Sequence, residues 1–152
     1  MRAKGFDVHR YYGEINYPTA KAAGLEFGLV RAGGGYIDTG IPFEDDWFWR
    51  NKVECPKYLA TGYWWYFAPV AKWVEQATMF RDLIKTQTMH IRPVVDVEEF
   101  QFPDGTAIPP STLQARLKVF LDIIYDEFQV YPIIYTRTTL WNPYYGNPTW
   151  AK

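Results

Sequence analysis

Five short apolar runs, each followed by a segment of helical character, constrain this chain more than any other feature. The runs are residues 5–9, 27–32, 59–67, 92–100 and 130–136. Strand-length runs separated by helix-length segments imply parallel pairing, because parallel neighbours need a long crossover. The run Phe-Gly-Leu-Val-Arg-Ala at 27–32 is nearly continuous in apolar character, as a sheet buried on both faces requires. Helices are expected over 17–24, 46–53, 70–87 and 112–128, with a further short element from Thr138 to Trp141. Pro18 suits a first turn and Gly24 a C-terminal stop. Asp45 or Asp46 is expected to cap the second helix, and Ser111 the fourth. Val70, Val74, Ala77, Phe80 and Ile84 form one helical stripe; Leu113, Leu117, Phe120, Leu121 and Ile124 form another. Helix-strand alternation of this kind gives an α/β fold with helices outside a parallel sheet. Five units are fewer than the eight of a closed barrel, which leaves an open sheet or most of a barrel.

The fourth run ends in acid: Arg-Pro-Val-Val-Asp-Val-Glu-Glu-Phe, residues 92–100. Side chains alternate across a strand, so Val95 and Val97 share one face while Val94, Asp96 and Glu98 share the other. Asp96 and Glu98 then leave the backbone about 7 Å apart on the same side. Two carboxylates so placed on an apolar strand raise one pKa, as acid-catalysed glycoside cleavage requires. That spacing falls between the ranges of retaining and inverting pairs. The same residues also suit a strand end that enters a solvated acidic loop. In parallel β/α architectures ligands bind at the carboxyl ends of strands. Asp7, Arg31, Tyr66, Asp96, Glu98 and Tyr135 all fall at or near such ends.

Several function classes are excluded or disfavoured. The formal net charge is -1 with no basic run, which argues against a nucleic-acid partner. No apolar run approaches the length of a membrane span. Gly33-Gly34-Gly35 lacks the Lys-Ser/Thr of a phosphate loop and the dinucleotide fingerprint, so a loop that bends sharply or approaches a ligand is expected there. His9 and His90 lack metal-ligand spacing, and carboxylates alone explain the acidic mouth, so neither metal nor cofactor is expected. No Gly-x-Ser-x-Gly elbow is present. Cys55 is the single cysteine and is expected to be free and structural. The start of the chain enters a strand pattern without a signal peptide. Aromatic residues reach 19%, more than a plain core needs, and aromatic faces suit sugar rings.

Taken in order, these residues resemble glycoside hydrolase family 25, the Chalaropsis-type lysozymes. The resembling pieces are Gly5-Phe6-Asp7-Val8 with Tyr12-Gly13, Lys21-Ala22-Ala23-Gly24, Val30-Arg31-Ala32-Gly33, the aromatic strand from Gly62 to Ala68, Asp96-Val97-Glu98, and Pro132-Ile133-Ile134-Tyr135-Thr136 with Trp141. The resemblance implies one catalytic domain over residues 1–152, built as an irregular TIM-like β/α barrel of about five β/α units. It implies an N-acetylmuramidase that cuts the β-1,4 bond between N-acetylmuramic acid and N-acetylglucosamine in peptidoglycan. By resemblance Glu98 is the general acid, Asp96 orients or stabilises charge through the acetamido group, and Asp7 supports the pair. Arg31, Trp65, Tyr66, Tyr135 and Trp141 are expected to line the groove. The family continues past a point resembling Trp150, so the last strands are expected to be absent here, with another chain able to complete the barrel. His9-Arg10 departs from the small polar residues commoner after the first strand. The expected partner is the peptidoglycan glycan strand of a bacterial cell wall, reached by a phage, prophage or otherwise exported enzyme. The alternative is a catalytically impaired wall-binding module that is sensitive to loss of Trp64 or Trp65.

Overall fold

In the computed structural model, which describes residues 2–146 and 148–151, the five apolar runs become five parallel strands. Lys152, read from the sequence as the end of a Pro-, Gly- and Asn-rich loop, lies outside the described residues, as do Met1 and Asn147. The strands are β1 (Gly5–Val8), β2 (Phe27–Gly35), β3 (Pro42–Glu44), β4 (Ala60–Tyr66), β5 (Val94–Asp96) and β6 (Ile133–Tyr135). The spatial order is β1-β2-β4-β5-β6, and the short β3 runs antiparallel to the end of β2. The register sets Asp7 opposite Leu29, and lines Tyr66, Asp96 and Tyr135 across three adjacent strands. Among the described residues β1 and β6 do not pair, so the sheet is open between them.

The helices are α1 (Tyr17–Ala22), α2 (Phe48–Glu54), α3 (Trp73–Ile84), α4 (Pro110–Phe128) and the single turn α5 (Thr138–Leu140), which continues as a π-turn over Trp141–Tyr145. α1 begins as expected, with Pro18 in its first turn and the Asn16 side chain accepting from the Thr19 N–H at 3.0 Å. Two expected caps are not made. Asp45 sits outside α2 and accepts instead from the N–H groups of Trp47 and Arg10, each at 3.0 Å. Ser111 lies inside α4, which opens on Pro110, a residue with no N–H to satisfy. The stripe of α4 is buried at every expected position. α3 starts later than its periodicity suggests. Lys72 takes a left-handed backbone (φ 53°) after Pro69, so Val70 precedes the helix and Val74 is exposed.

Pleat alternation divides the sheet into two different faces. Val8, Val30, Tyr63, Trp65, Val95 and Val97 point to the helices and are buried. Phe80 of α3 and Phe120 of α4 meet over that face, with ring centroids 6.3 Å apart, and Trp65 lies 5.7 Å from Phe80. The opposite face receives Asp7, Leu29, Trp64, Val94, Asp96 and Tyr135, which surround a cavity.

The glycine triplet is not a loop. Gly33–Gly35 completes β2 and pairs with both β3 and β4. Glycine is required by proximity rather than by backbone conformation. A Cβ on Gly35 would stand 2.6 Å from the Gln76 amide and 2.8 Å from the Ala68 Cβ. One on Gly33 would collide with the Phe43 carbonyl and the Trp65 ring.

Gln76 explains that closeness. It is fully buried, and its Oε1 accepts from Trp65 Nε1 at 3.3 Å and from the Ala68 N–H at 3.1 Å. Its Nε2 donates to the carbonyls of Gly40, Ala68 and Ala71 at 2.8–3.1 Å. One amide thereby ties together the turn between β2 and β3, the end of β4 and the approach to α3. Removing it leaves several buried backbone groups without partners, each costing about 1–3 kcal/mol. Gln76→Ala is therefore expected to lower unfolding stability by at least about 3 kcal/mol. Urea denaturation checks this, with Gln87→Ala, half-buried in the turn after α3, as the comparison, which should stay within about 0.5 kcal/mol of the parent.

Candidate active site

The cavity at the carboxyl ends of the strands has a volume of about 300 Å³. Asp7 from β1, Asp96 at the end of β5 and Glu98 two residues beyond it supply its acids. His9, Trp64 and Tyr135 supply its rings, and Leu29 and Val94 its apolar floor. β5 ends at Asp96, yet the alternation continues past it: Val97 is fully buried while Glu98 reaches the cavity. A second cavity, of about 310 Å³, lies beside β6 and is lined by Arg92, Tyr131, Trp150 and the Lys118–Asp122 ion pair. It lacks convergent acids.

Asp96 is the most perturbed acid of the group. Its carboxyl is pushed up to about 7, first by burial and then by the negative charge of Glu98. Arg31 pulls it back down, while Asp7 and Glu99 add to the rise. Its Oδ1 is buried without a hydrogen-bond partner among the described residues, so no donor there stabilises charge on that oxygen. Glu98 is partly exposed and forms an ion pair with Arg137, with Nε 3.3 Å from Oε1.

Arg31 is buried beneath the cavity instead of lining it. Its guanidinium carbon lies 5.0 Å from the centre of the Trp64 ring, 5.2 Å from Phe43 and 5.5 Å from Tyr66. Asp45 stands 4.0 Å away. Burial lowers the Arg31 pKa, and Asp45 opposes that shift.

Trp65, expected in the groove, is on the other face of β4. It is fully buried and bonded to Gln76. Trp64 takes the position beside the cavity. Period-two alternation carries that signal, since Trp65 and Tyr66 are neighbours on a strand and cannot face the same side. Tyr66 does point to the cavity side, where it stacks on Arg31 and donates its hydroxyl proton to Glu99. Burial and that hydrogen bond both raise the Tyr66 pKa. Tyr135 lines the cavity and is 58% exposed. Trp141 stands apart from it, stacked on Tyr145 with centroids 5.3 Å apart and planes within 7°.

Glu99 is the residue that strand alternation misplaces. Its position after Glu98 assigns it to the core face. The chain leaves the pleat there, and its carboxylate accepts from Tyr66 while its carbonyl accepts from the Tyr145 hydroxyl at 3.0 Å. Phe100 stacks on Tyr144 at 3.8 Å. The segment carrying Glu98 is therefore held from two directions. His9 was also unassigned by spacing. It meets Trp64 edge-on at 6.3 Å and Tyr12 at 4.3 Å, and burial and Arg31 lower its pKa. Arg137 carried no sequence signal.

Solved structures share this fold. A family 25 glycosyl hydrolase from Bacillus anthracis superposes with a TM-score of 0.81 at 22% identity, covering 94% of this chain and 64% of its own. A family GH25 lysozyme from Aspergillus fumigatus gives 0.80 at 22% identity, covering 95% and 70%. A bacterial lysozyme from Streptomyces coelicolor gives 0.80 at 21%, covering 96% and 68%. The chain thus spans less than two thirds of the length of the Bacillus anthracis structure. No curated protein sequence matches it. The sequence model of glycosyl hydrolases family 25 matches residues 6–151, which take in Asp7 on the first strand, the acids after β5 and the turns beyond β6. This chain belongs to glycosyl hydrolase family 25.

Proposed function

We propose that this chain is a peptidoglycan hydrolase that cleaves the β-1,4 bond between N-acetylmuramic acid and N-acetylglucosamine. The observation that carries the reading is the convergence of Asp7, Asp96 and Glu98 on one cavity, with Asp96 raised to about 7. Family membership and relatives described as muramidase and lysozyme support it.

Glycoside cleavage needs a proton for the leaving oxygen and negative charge near the sugar cation that develops. Burial and the charge of Glu98 raise the Asp96 carboxyl to about 7, so it still holds a proton close to neutral pH. In this reading Glu98, at the more open wall, protonates the leaving oxygen. Asp96, deeper and beside Asp7, then orients the acetamido group and balances the positive charge. One observation favours the exchanged assignment: burial puts the proton on Asp96, and Arg137 pairs with Glu98. In that version Asp96 is the acid and Glu98 the anion. The Glu99–Tyr66 bond positions the Glu98 backbone under either assignment.

Glu98→Gln is expected to cut reducing-sugar release from purified cell walls by about 10²–10⁴-fold with the fold intact by circular dichroism. Turnover equal to the parent overturns the proposal; wall binding without hydrolysis by the parent favours a binding module. An aryl glycoside that needs no protonated leaving group restores turnover to whichever of Glu98→Gln and Asp96→Asn has lost the acid. Tyr66→Phe keeps the ring over Arg31 and frees Glu99; kcat is expected to fall about tenfold with KM nearly constant, since alignment and not binding is lost.

The pH dependence has a definite sign. With Asp96 as the proton donor, kcat/KM is held below about 7 and falls as pH rises through it. The folded protein favours the protonated Asp96. Its contribution to stability is fully present below the ordinary carboxylate value of 3.8 and is lost as pH rises through about 7. Asp96→Asn is therefore expected to raise Tm at pH 8 relative to the parent, and calorimetry at pH 4 and pH 8 checks the difference.

A further inference from the structure

We infer that a ring-faced ledge beside the cavity, formed by Tyr11, Tyr12 and Tyr36 around Arg10, is a distal glycan subsite that holds hexosamine units beyond those at the scissile bond. The inference rests on the peptidoglycan-hydrolase reading. It concerns a surface outside the acid cluster.

The ledge is continuous with the cavity. His9 lines the cavity, meets Tyr12 at 4.3 Å with the planes tilted by 33°, and meets Tyr11 edge-on at 5.4 Å. Arg10 follows, with its guanidinium 5.0 Å from the Tyr11 ring and 5.3 Å from the Phe43 ring. Phe43 in turn stacks on Tyr36 at 4.7 Å. Tyr11, Tyr12 and Tyr36 are 73%, 59% and 46% exposed, so all three rings reach solvent beside the cavity wall that His9 forms.

The ledge is built on a rigid base. Residues Arg10–Tyr12 form a 3-10 turn. The buried Asp45 carboxylate accepts from the Arg10 N–H at 3.0 Å, and the His9 Nδ1 accepts from the Tyr11 N–H at 3.3 Å. Arg10 Nε is itself buried without a hydrogen-bond partner among the described residues. None of the three tyrosine rings is needed for the core, yet the backbone beneath them is anchored.

The occupant follows from polymer geometry and charge. A cavity of about 300 Å³ holds few sugar rings, so the rest of a bound glycan strand must run along a neighbouring surface. Sugar rings present apolar C–H faces to aromatic planes. Muramic units carry a carboxylate, or a peptide in its place, and a carboxylate pairs well with an arginine. A ledge of spaced rings around a guanidinium matches both features of that strand.

The test measures affinity against length. Glu98→Gln of the full chain is titrated calorimetrically with purified peptidoglycan oligosaccharides of four, six and eight sugars. Affinity is expected to rise with length, and Tyr12→Ala with Tyr36→Ala is expected to remove about tenfold of that rise. Both rings are exposed, and unchanged circular dichroism confirms the fold of the double variant. Length dependence equal to that of Glu98→Gln alone overturns the subsite, as does affinity that does not rise with length. Hydrolysis by the parent protein is measured separately. A ring-dependent length effect without hydrolysis supports the ledge and overturns the hydrolase reading; hydrolysis without that effect does the reverse.

Discussion

Arg31 leaves β2 on the sheet face that carries no helix, and it is nevertheless buried. A guanidinium there is tolerable because Trp64, Tyr66 and Phe43 surround it, Asp45 stands nearby and its Nε donates to the Gly33 carbonyl at 3.3 Å. Each neighbour has a second task. Trp64 forms a wall of the cavity, Tyr66 holds Glu99, and Asp45 anchors the turn that follows β1. Phe43 reaches Arg31 because β3 folds back on the glycines of β2, and Gln76 holds that fold in place. The burial of one cation therefore organises three loops around the acids.

The consequence for chemistry lies in the balance at Asp96. Burial and three neighbouring carboxylates raise it, and Arg31 alone among the cations above restrains it. Placed in open solvent, the same Asp96 would lose the burial that raises it. With Arg31 bonded directly to Asp96, the carboxyl would be held ionised. Arg31 packs on rings instead of bonding to Asp96, and the carboxyl stays raised to about 7. Glu99 contributes charge to this balance as well as holding the backbone of Glu98.

Much of this was legible residue by residue. The five parallel strands followed from apolar runs of strand length, and the buried stripe of α4 from its spacing. The shared face of Val94, Asp96 and Glu98 followed from alternation alone. Trp65 was misplaced because likeness to a groove residue outweighed that same alternation, which assigns Trp64 to the cavity. The glycine triplet was read as a bend because glycine permits one. The close approach of Gln76 and Phe43, which actually demands glycine, joins residues some ten to forty apart in the chain. Glu99 escaped for a related reason: its partner Tyr66 lies 33 residues away, and the strand pattern stops just before it.

By itself the sequence determined the parallel α/β class, the family, and which acids share a strand face, because apolar periodicity and pleat geometry are local properties. Tertiary structure decided which rings meet the cavity, that Arg31 lies beneath it, and that burial raises Asp96 to about 7. Burial and through-space charge depend on what the distant chain packs against a group, and no short window of residues contains that information.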